Sequence, residues 1–145
     1  MMKFSIILLC LLALDVCILW VLNGEARAFC FEDAAKVYGL SPDLLKAIAR
    51  VESDLKAEAV KLNKDGSYDY GLMQINSFWY GVLGDEIWDR LSEPCANVYV
   101  GAWILWRCIR RYGEVWEAVG CYNATSEKKR LDYVRKVKGA LAPSR

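Results

Sequence analysis

The chain has 145 residues, a formal net charge of +1 and no histidine. The absence of histidine excludes Ser-His-Asp and Cys-His nucleophilic schemes and disfavours a zinc site. Any acid–base chemistry must therefore use carboxylates, lysine or tyrosine. The balanced charge gives no basic field that would bind nucleic acid.

The first 28 residues are typical of an export signal. Lys3 supplies a positive charge, residues 4–22 are almost wholly apolar, and Ala-Arg-Ala at 26–28 offers a cleavage site. Asp15 interrupts the apolar run, whose length approaches the ~20 residues of a membrane span, so an uncleaved anchor is the alternative. We predict a signal at 1–28, one domain at 29–145, and a periplasmic or secreted protein that is membrane-anchored if the signal stays.

Four cysteines follow the predicted signal: Cys30, Cys95, Cys108 and Cys121. An even number of cysteines in an exported domain indicates disulfides, and their spacing leaves the pairing open. None of the spacings is CxxC, which disfavours a redox or metal motif.

A short helix is predicted over 31–38, ended by Gly39. Ser41 and Pro42 start a second helix, because serine caps a helix and proline suits its first turn. Its apolar stripe contains a carboxylate, which is unusual for a face that should meet the core. The stripe consists of Leu45, Ile48, Glu52 and Leu55.

Residues 63–71 are rich in turn formers and tyrosine, which predicts a small hairpin or extended loop. Residues 72–82 predict a loop followed by a short helix, with Gly81 and Gly84 near its end. Three further helices are predicted over 98–112, 115–122 and 127–141, the first two antiparallel because their connection is short. The fold class is therefore mainly α, an α+β domain with a small hairpin or loop beside a cleft.

Glu52 and Asp69 form a plausible catalytic pair. Burial penalises the charged form of Glu52 and raises its pKa, whereas Asp69, beside loop amides and water, should stay ionised. One carboxyl can then protonate a leaving oxygen while the other stabilises positive charge on a sugar ring. Each residue also has a simpler reading, because Glu52 could pair with an arginine and Asp69 could only cap a turn.

Three ordered motifs resemble one family. ARVESDL at 49–55, DGSYDYGLMQINSFW at 65–79 and WEAVGCYNA at 116–124 are similar to the small lytic transglycosylases of the lysozyme superfamily that accompany type III and type IV secretion, conjugation and pilus systems. The resemblance implies a lysozyme-like fold and cleavage of the bond between N-acetylmuramic acid and N-acetylglucosamine in peptidoglycan, giving 1,6-anhydromuramyl ends. It implies no cofactor or metal, and we expect a monomer.

The same resemblance assigns roles to residues. Glu52 matches the general acid and base, assisted by Asp69, and Ser53 matches the neighbour that holds the carboxylate. Gly71 would let the backbone approach the sugar, and Gln74 and the amides near Asn76 would bind an N-acetyl group. Further candidate substrate-binding residues are Tyr70, Trp79, Tyr122 and Asn123.

Cys30 and Cys95 match the disulfide of that family, which leaves Cys108 and Cys121 as an extra bridge between the antiparallel helices. Cys121 stands where the family usually has alanine, and Thr125 replaces a common glycine. Two rival functions remain: a hydrolytic muramidase that uses Glu52 and Asp69, and a noncatalytic glycan-binding scaffold protein.

Overall fold

The computed structural model describes residues 29–113, 115–124 and 126–141. The predicted signal at 1–28 and Thr125 lie outside the described residues. The elements are α1 (Phe31–Tyr38), α2 (Pro42–Ser53), β1 (Val60–Leu62), β2 (Tyr68–Tyr70), β3 (Ile75–Asn76), a 3-10 helix (Ser77–Trp79), α3 (Tyr80–Asp89), a second 3-10 helix (Arg90–Ser92), α4 (Pro94–Tyr112), α5 (Val115–Asn123) and α6 (Glu127–Leu141).

The end of α1 and the start of α2 are as their sequences predict. Gly39 ends α1 in a left-handed conformation with φ of 65°, and its N–H bonds to the Ala35 carbonyl. At the start of α2, the Ser41 hydroxyl accepts a hydrogen bond from the Leu44 N–H at 3.3 Å, with Pro42 in the first turn.

The end of α2 differs from the expected stripe. The helix stops at Ser53, because Asp54 and Leu55 both adopt left-handed backbone conformations, with φ of 54° and 60°. Leu55 therefore lies beyond the helix, and Glu52 lies in its last turn. Positive φ is uncommon for residues other than glycine, so the sequence does not predict two such residues in succession.

The tyrosine-rich segment forms a three-stranded antiparallel sheet in the order β1-β2-β3. Asp69 is the central residue of β2, opposite Lys61 of β1 and Asn76 of β3. The turn between β1 and β2 contains Gly66 with φ of 84°, a conformation that suits glycine. The predicted hairpin is thus confirmed, with a third short strand added.

Residues 80–89 form one helix interrupted at Gly84, whose φ of 73° and ψ of 169° are not helical. The helix was expected to end near this glycine, but it continues to Asp89. Downstream, α4 packs against α1 and α5, while α6 packs against both α2 and α5. The mainly helical α+β fold is confirmed.

One apolar core joins the helices to the sheet, and its largest members are almost fully buried. They include Leu45 and Ile48 of α2, Met73, Ile75 of β3, Leu105 of α4, Val119 of α5 and Val137 of α6. Both disulfides form with the expected pairing, Cys30 with Cys95 and Cys108 with Cys121. The first joins the segment before α1 to α4, and the second joins α4 to α5. Within the described ranges, no helix is both long and apolar enough to cross a membrane.

Candidate active site

A cleft of about 810 Å³ runs between the sheet and the helices. Its walls come from the end of α2, from all three strands and the turn between β1 and β2, from the first 3-10 helix, and from α4, α5 and the start of α6. Both predicted carboxylates, Glu52 and Asp69, line it. A second groove of about 580 Å³, beside α3 and α4, is lined mainly by apolar side chains and contains no carboxylate.

Glu52 is positioned by the packing of α2 against α6. Its Oε1 accepts a hydrogen bond of 2.5 Å from the Tyr133 hydroxyl. The pKa of Glu52 is raised to about 7. Burial is the largest cause and the charge of Asp69 acts in the same direction, whereas the Tyr133 hydrogen bond and the charges of Lys61 and Lys136 lower the pKa. A carboxyl with this pKa is available in both protonation states near neutral pH, as a general acid and base requires.

Tyr133 was not among the residues singled out from the sequence. The spacing of Leu131, Val134 and Val137 predicts that these residues form the apolar stripe of the last helix, but Leu131 is 57% exposed, whereas Tyr133 and Val137 are buried. The signal that would have found it is the spacing of four residues between Tyr133 and Val137, which places both on one helical face.

Ser53 does not hold the Glu52 carboxylate as expected. Its hydroxyl lies 2.8 Å from the Leu72 carbonyl and 3.2 Å from the Ala49 carbonyl, and it donates to these main-chain oxygens. A hydroxyl has a single hydrogen, and because this one is donated to main-chain carbonyls it is not donated to the Glu52 carboxylate. Ser53 therefore fixes the end of α2 against the segment between β2 and β3.

Asp69 lies on the opposite wall among polar groups. Its Oδ1 accepts from the Asn76 amide at 2.7 Å and its Oδ2 from the Asn63 amide at 3.1 Å. The Lys61 ammonium lies 3.7 Å from Oδ2. These donors fix the carboxylate with its charge directed at the cleft, where positive charge on a sugar would be stabilised.

Gly71 is required by a protein contact. It has φ of 78°, and a Cβ there would lie 2.1 Å from the amide nitrogen of Asn97. Asn97 is buried in α4, where its amide donates to the Tyr70 and Leu91 carbonyls and accepts from the Met73 N–H. The close approach at Gly71 is thus to Asn97, and the expected approach to a sugar is not needed to explain the glycine.

Gln74 and Asn76 line the cleft, but their side-chain amides also form hydrogen bonds within the protein. The Gln74 amide nitrogen donates to the Ala59 and Gly71 carbonyls, at 3.1 and 2.9 Å. Asn76 donates to Asp69 and accepts from the Phe78 N–H at 2.9 Å. The Gln74 side-chain oxygen is therefore the more available acceptor for an N-acetyl N–H.

The four aromatic residues of the segment 70–80 differ in whether they line the cleft. Trp79 lines the cleft and packs edge-on against Trp103, with ring centroids 5.4 Å apart. Phe78, which was not predicted as a site residue, also lines the cleft and is 75% exposed. Tyr80, which follows Trp79 in the sequence, is not part of the cleft lining and packs against Trp88. Tyr70 also lies outside the cleft lining and packs against the core.

Tyr122 and Asn123 enter the cleft from the last turn of α5. The Tyr122 hydroxyl donates to the Met73 carbonyl at 2.7 Å, and burial raises its pKa, so the phenol stays protonated. Cys121 lines the same wall, where its disulfide to Cys108 ties α5 to α4. Among the described residues, no cluster of acidic, histidine or cysteine side chains could hold a metal ion.

Comparisons with known proteins agree with this geometry. The family model described as "Transglycosylase SLT domain" matches residues 29–140. "Invasion protein IagB" of Salmonella typhimurium strain LT2 is 42% identical over 130 residues, 84% of this chain and 81% of that protein. "Protein IpgF" of Shigella flexneri is 38% identical over 139 residues, 93% and 85% of the two chains. A "Peptidoglycan-binding-like protein" of Escherichia coli O157:H7 is 39% identical over 127 residues, 77% and 75%. The chain therefore belongs to the SLT transglycosylase family and is a lytic transglycosylase with a lysozyme-like fold.

Proposed function

We propose that this enzyme cuts the bond between N-acetylmuramic acid and N-acetylglucosamine in peptidoglycan and leaves a 1,6-anhydromuramyl end. The observation that carries the proposal is the partly buried Glu52 carboxyl, with a pKa raised to about 7, opening onto a cleft that Asp69 shares. Protonated Glu52 donates its hydrogen to the glycosidic oxygen, and the bond from that oxygen to C1 of the muramic acid breaks.

The second step uses the same carboxyl as a base. Ionised Glu52 removes the proton from the C6 hydroxyl of the muramic acid while the C6 oxygen bonds to C1. Glu52 is then protonated again and the cycle closes without water. A pKa near neutrality suits a group that must give and take a proton in turn.

Asp69 and the N-acetyl group of the substrate share the stabilisation of positive charge between the two steps. Asp69 supports this role because its carboxylate is held by Asn63 and Asn76 and faces the cleft. The Gln74 side-chain oxygen is placed to accept from the N-acetyl N–H, and Trp79 to pack against a sugar ring.

Mass spectrometry of digested peptidoglycan tests the reaction. The expected products are anhydro muropeptides, lighter by one water than hydrolytic products, and Glu52→Gln should release neither. Predominantly hydrated ends would replace our proposal with the second candidate, a hydrolytic muramidase. The observation that favours that candidate is the second carboxylate, Asp69, in the same cleft.

The protein should act outside the cytoplasm. The apolar run at 4–22 supports export, and the two disulfides fit an oxidising compartment. Terminal sequencing of the exported protein checks the boundary: an N-terminus at Phe29 supports cleavage after residue 28, and an intact leader supports the membrane anchor.

We further propose that the enzyme opens the wall locally for a secretion, conjugation or pilus apparatus. The motif resemblance supports this role, and one relative carries the name "Invasion protein IagB". Deletion of the gene should reduce assembly of such an apparatus, and wild-type protein should restore it. Equal restoration by Glu52→Gln would show that cleavage is not required and would favour the scaffold alternative.

A further inference from the structure

Lysines line both sides of the cleft mouth. Lys61 of β1 and Lys64 of the following turn lie on the sheet side, and Lys129 of α6 lies on the helical side. Lys136 follows Lys129 by seven residues, two turns along the same face of α6 that carries Tyr133, and its charge acts on Glu52. We call Lys61, Lys64, Lys129 and Lys136 the cationic rim.

Charges of opposite sign are separated by depth in this cleft. The Asp69 side chain is 15% exposed, whereas that of Lys61 is 69% exposed, although the two lie on paired strands. Asp65, at the hairpin turn, accepts hydrogen bonds from both the N–H and the hydroxyl of Ser67. Asp65 is itself exposed at the mouth, but the lysines outnumber it there, so the rim keeps an excess of positive charge above the less exposed Asp69.

Most of the rim has no internal counter-charge. In the described part of the chain, the side-chain ion pairs involve Lys46, Lys61, Arg90 and Arg135, so Lys64, Lys129 and Lys136 have no acidic partner. An anionic ligand could approach these three lysines without breaking an existing pair.

The inference rests on the proposed substrate and concerns its charged part. N-acetylmuramic acid carries a lactyl ether that ends either in a free carboxylate or in an amide-linked peptide stem with its own carboxylates. Because a carboxylate is costly to remove from water, such a substituent favours the solvent-exposed mouth over the floor beside the partly buried Glu52. We propose that the cationic rim is a subsite for these carboxylates, so that the lysines of the rim strengthen the binding of muramyl strands through the charge of their lactyl or peptide substituents.

Binding to Glu52→Gln protein tests the rim without cleavage of the ligand. In that background, Lys64→Gln with Lys129→Gln should weaken binding of peptide-bearing strands about three- to tenfold, the size expected for two exposed ion pairs. The matched control is Lys56→Gln with Lys128→Gln, which removes the same charge from exposed lysines outside the cleft lining. The loss should shrink at about 0.5 M salt, since salt screens exposed charges.

The ligands distinguish the source of the carboxylate. A loss confined to peptide-bearing strands supports recognition of the stem, and a loss with amidase-stripped strands supports recognition of the free lactyl group. Equal weakening for neutral chitin oligomers, equal weakening by the control pair, or no weakening at all would overturn the proposal. Rim-dependent binding by a protein that releases no anhydro ends would instead refute the proposed reaction and leave the subsite standing.

Discussion

Glu52 projects from the last turn of a helix that packs on α6, whereas Asp69 projects from the middle strand of a small sheet among amide groups. The single hydrogen-bond donor to Glu52 is the Tyr133 hydroxyl in the described structure, while Asp69 has two amide donors and a nearby ammonium. Position at a helix C-terminus adds to the cost of a negative charge on Glu52. Two carboxylates of similar chemistry therefore have different surroundings, one apolar and one polar, and this difference supports the different tasks that we propose for them.

The largest expected effect comes from removing the acid on the apolar wall. Glu52→Gln keeps the shape and the acceptor for Tyr133 but has no acidic proton to transfer, so cleavage of peptidoglycan should fall about 10³-fold or more. Circular dichroism should show an unchanged fold. Undiminished clearing of sacculi by this variant would remove Glu52 from the reaction.

The same substitution should stabilise the protein at alkaline pH. Because the folded-state pKa of Glu52, about 7, is above its ordinary value of 4.5, the stability that the neutral carboxyl provides is present at low pH and lost as the pH rises through 7. With allowance for partial exposure, Glu52→Gln should gain about 2–3 kcal/mol over wild type at pH 8.5 and almost nothing at pH 4.5.

Urea unfolding at both pH values measures this difference. Glu58→Gln, at an exposed glutamate, is the matched control and should change stability equally at both pH values. If the advantage of Glu52→Gln were independent of pH, the apolar wall would not be the source of its raised pKa.

A smaller loss is expected on the polar wall. Asp69→Asn removes the charge that we propose assists the transition state, and cleavage should fall about tenfold to a hundredfold if the substrate's N-acetyl group shares this task. A loss as complete as that of Glu52→Gln would indicate a nucleophilic Asp69 and a hydrolytic enzyme. Asp65→Asn makes the same chemical change at a cleft residue whose carboxylate accepts hydrogen bonds from Ser67, and it should have little effect.

The two walls also differ in how far the sequence predicted them. Periodicity and capping located α1, the start of α2 and the three later helices, and turn chemistry located the hairpin, because these signals are local. The contacts of Ser53 and Gly71 could not be predicted from local patterns, since each is made with a residue distant in sequence: the Leu72 carbonyl for Ser53 and the Asn97 amide for Gly71. Tyr133 lies 81 residues after Glu52, a separation at which no local pattern connects them.

The smallest expected effect concerns this Tyr133 contact. Its hydroxyl donates to Glu52 and lowers the pKa of that carboxyl, so Tyr133→Phe should raise the pKa above about 7 and move the alkaline limb of the activity profile to higher pH. The rate at the optimum should fall only about two- to fivefold, the size of one net hydrogen bond. Tyr122→Phe is the matched control, because its hydroxyl donates to the Met73 carbonyl. Each variant loses one hydrogen bond and can slow the enzyme, but only Tyr133→Phe should shift the alkaline limb of the activity profile. An equal shift in both variants would mean that the Tyr133 hydroxyl affects Glu52 only through the stability of the fold.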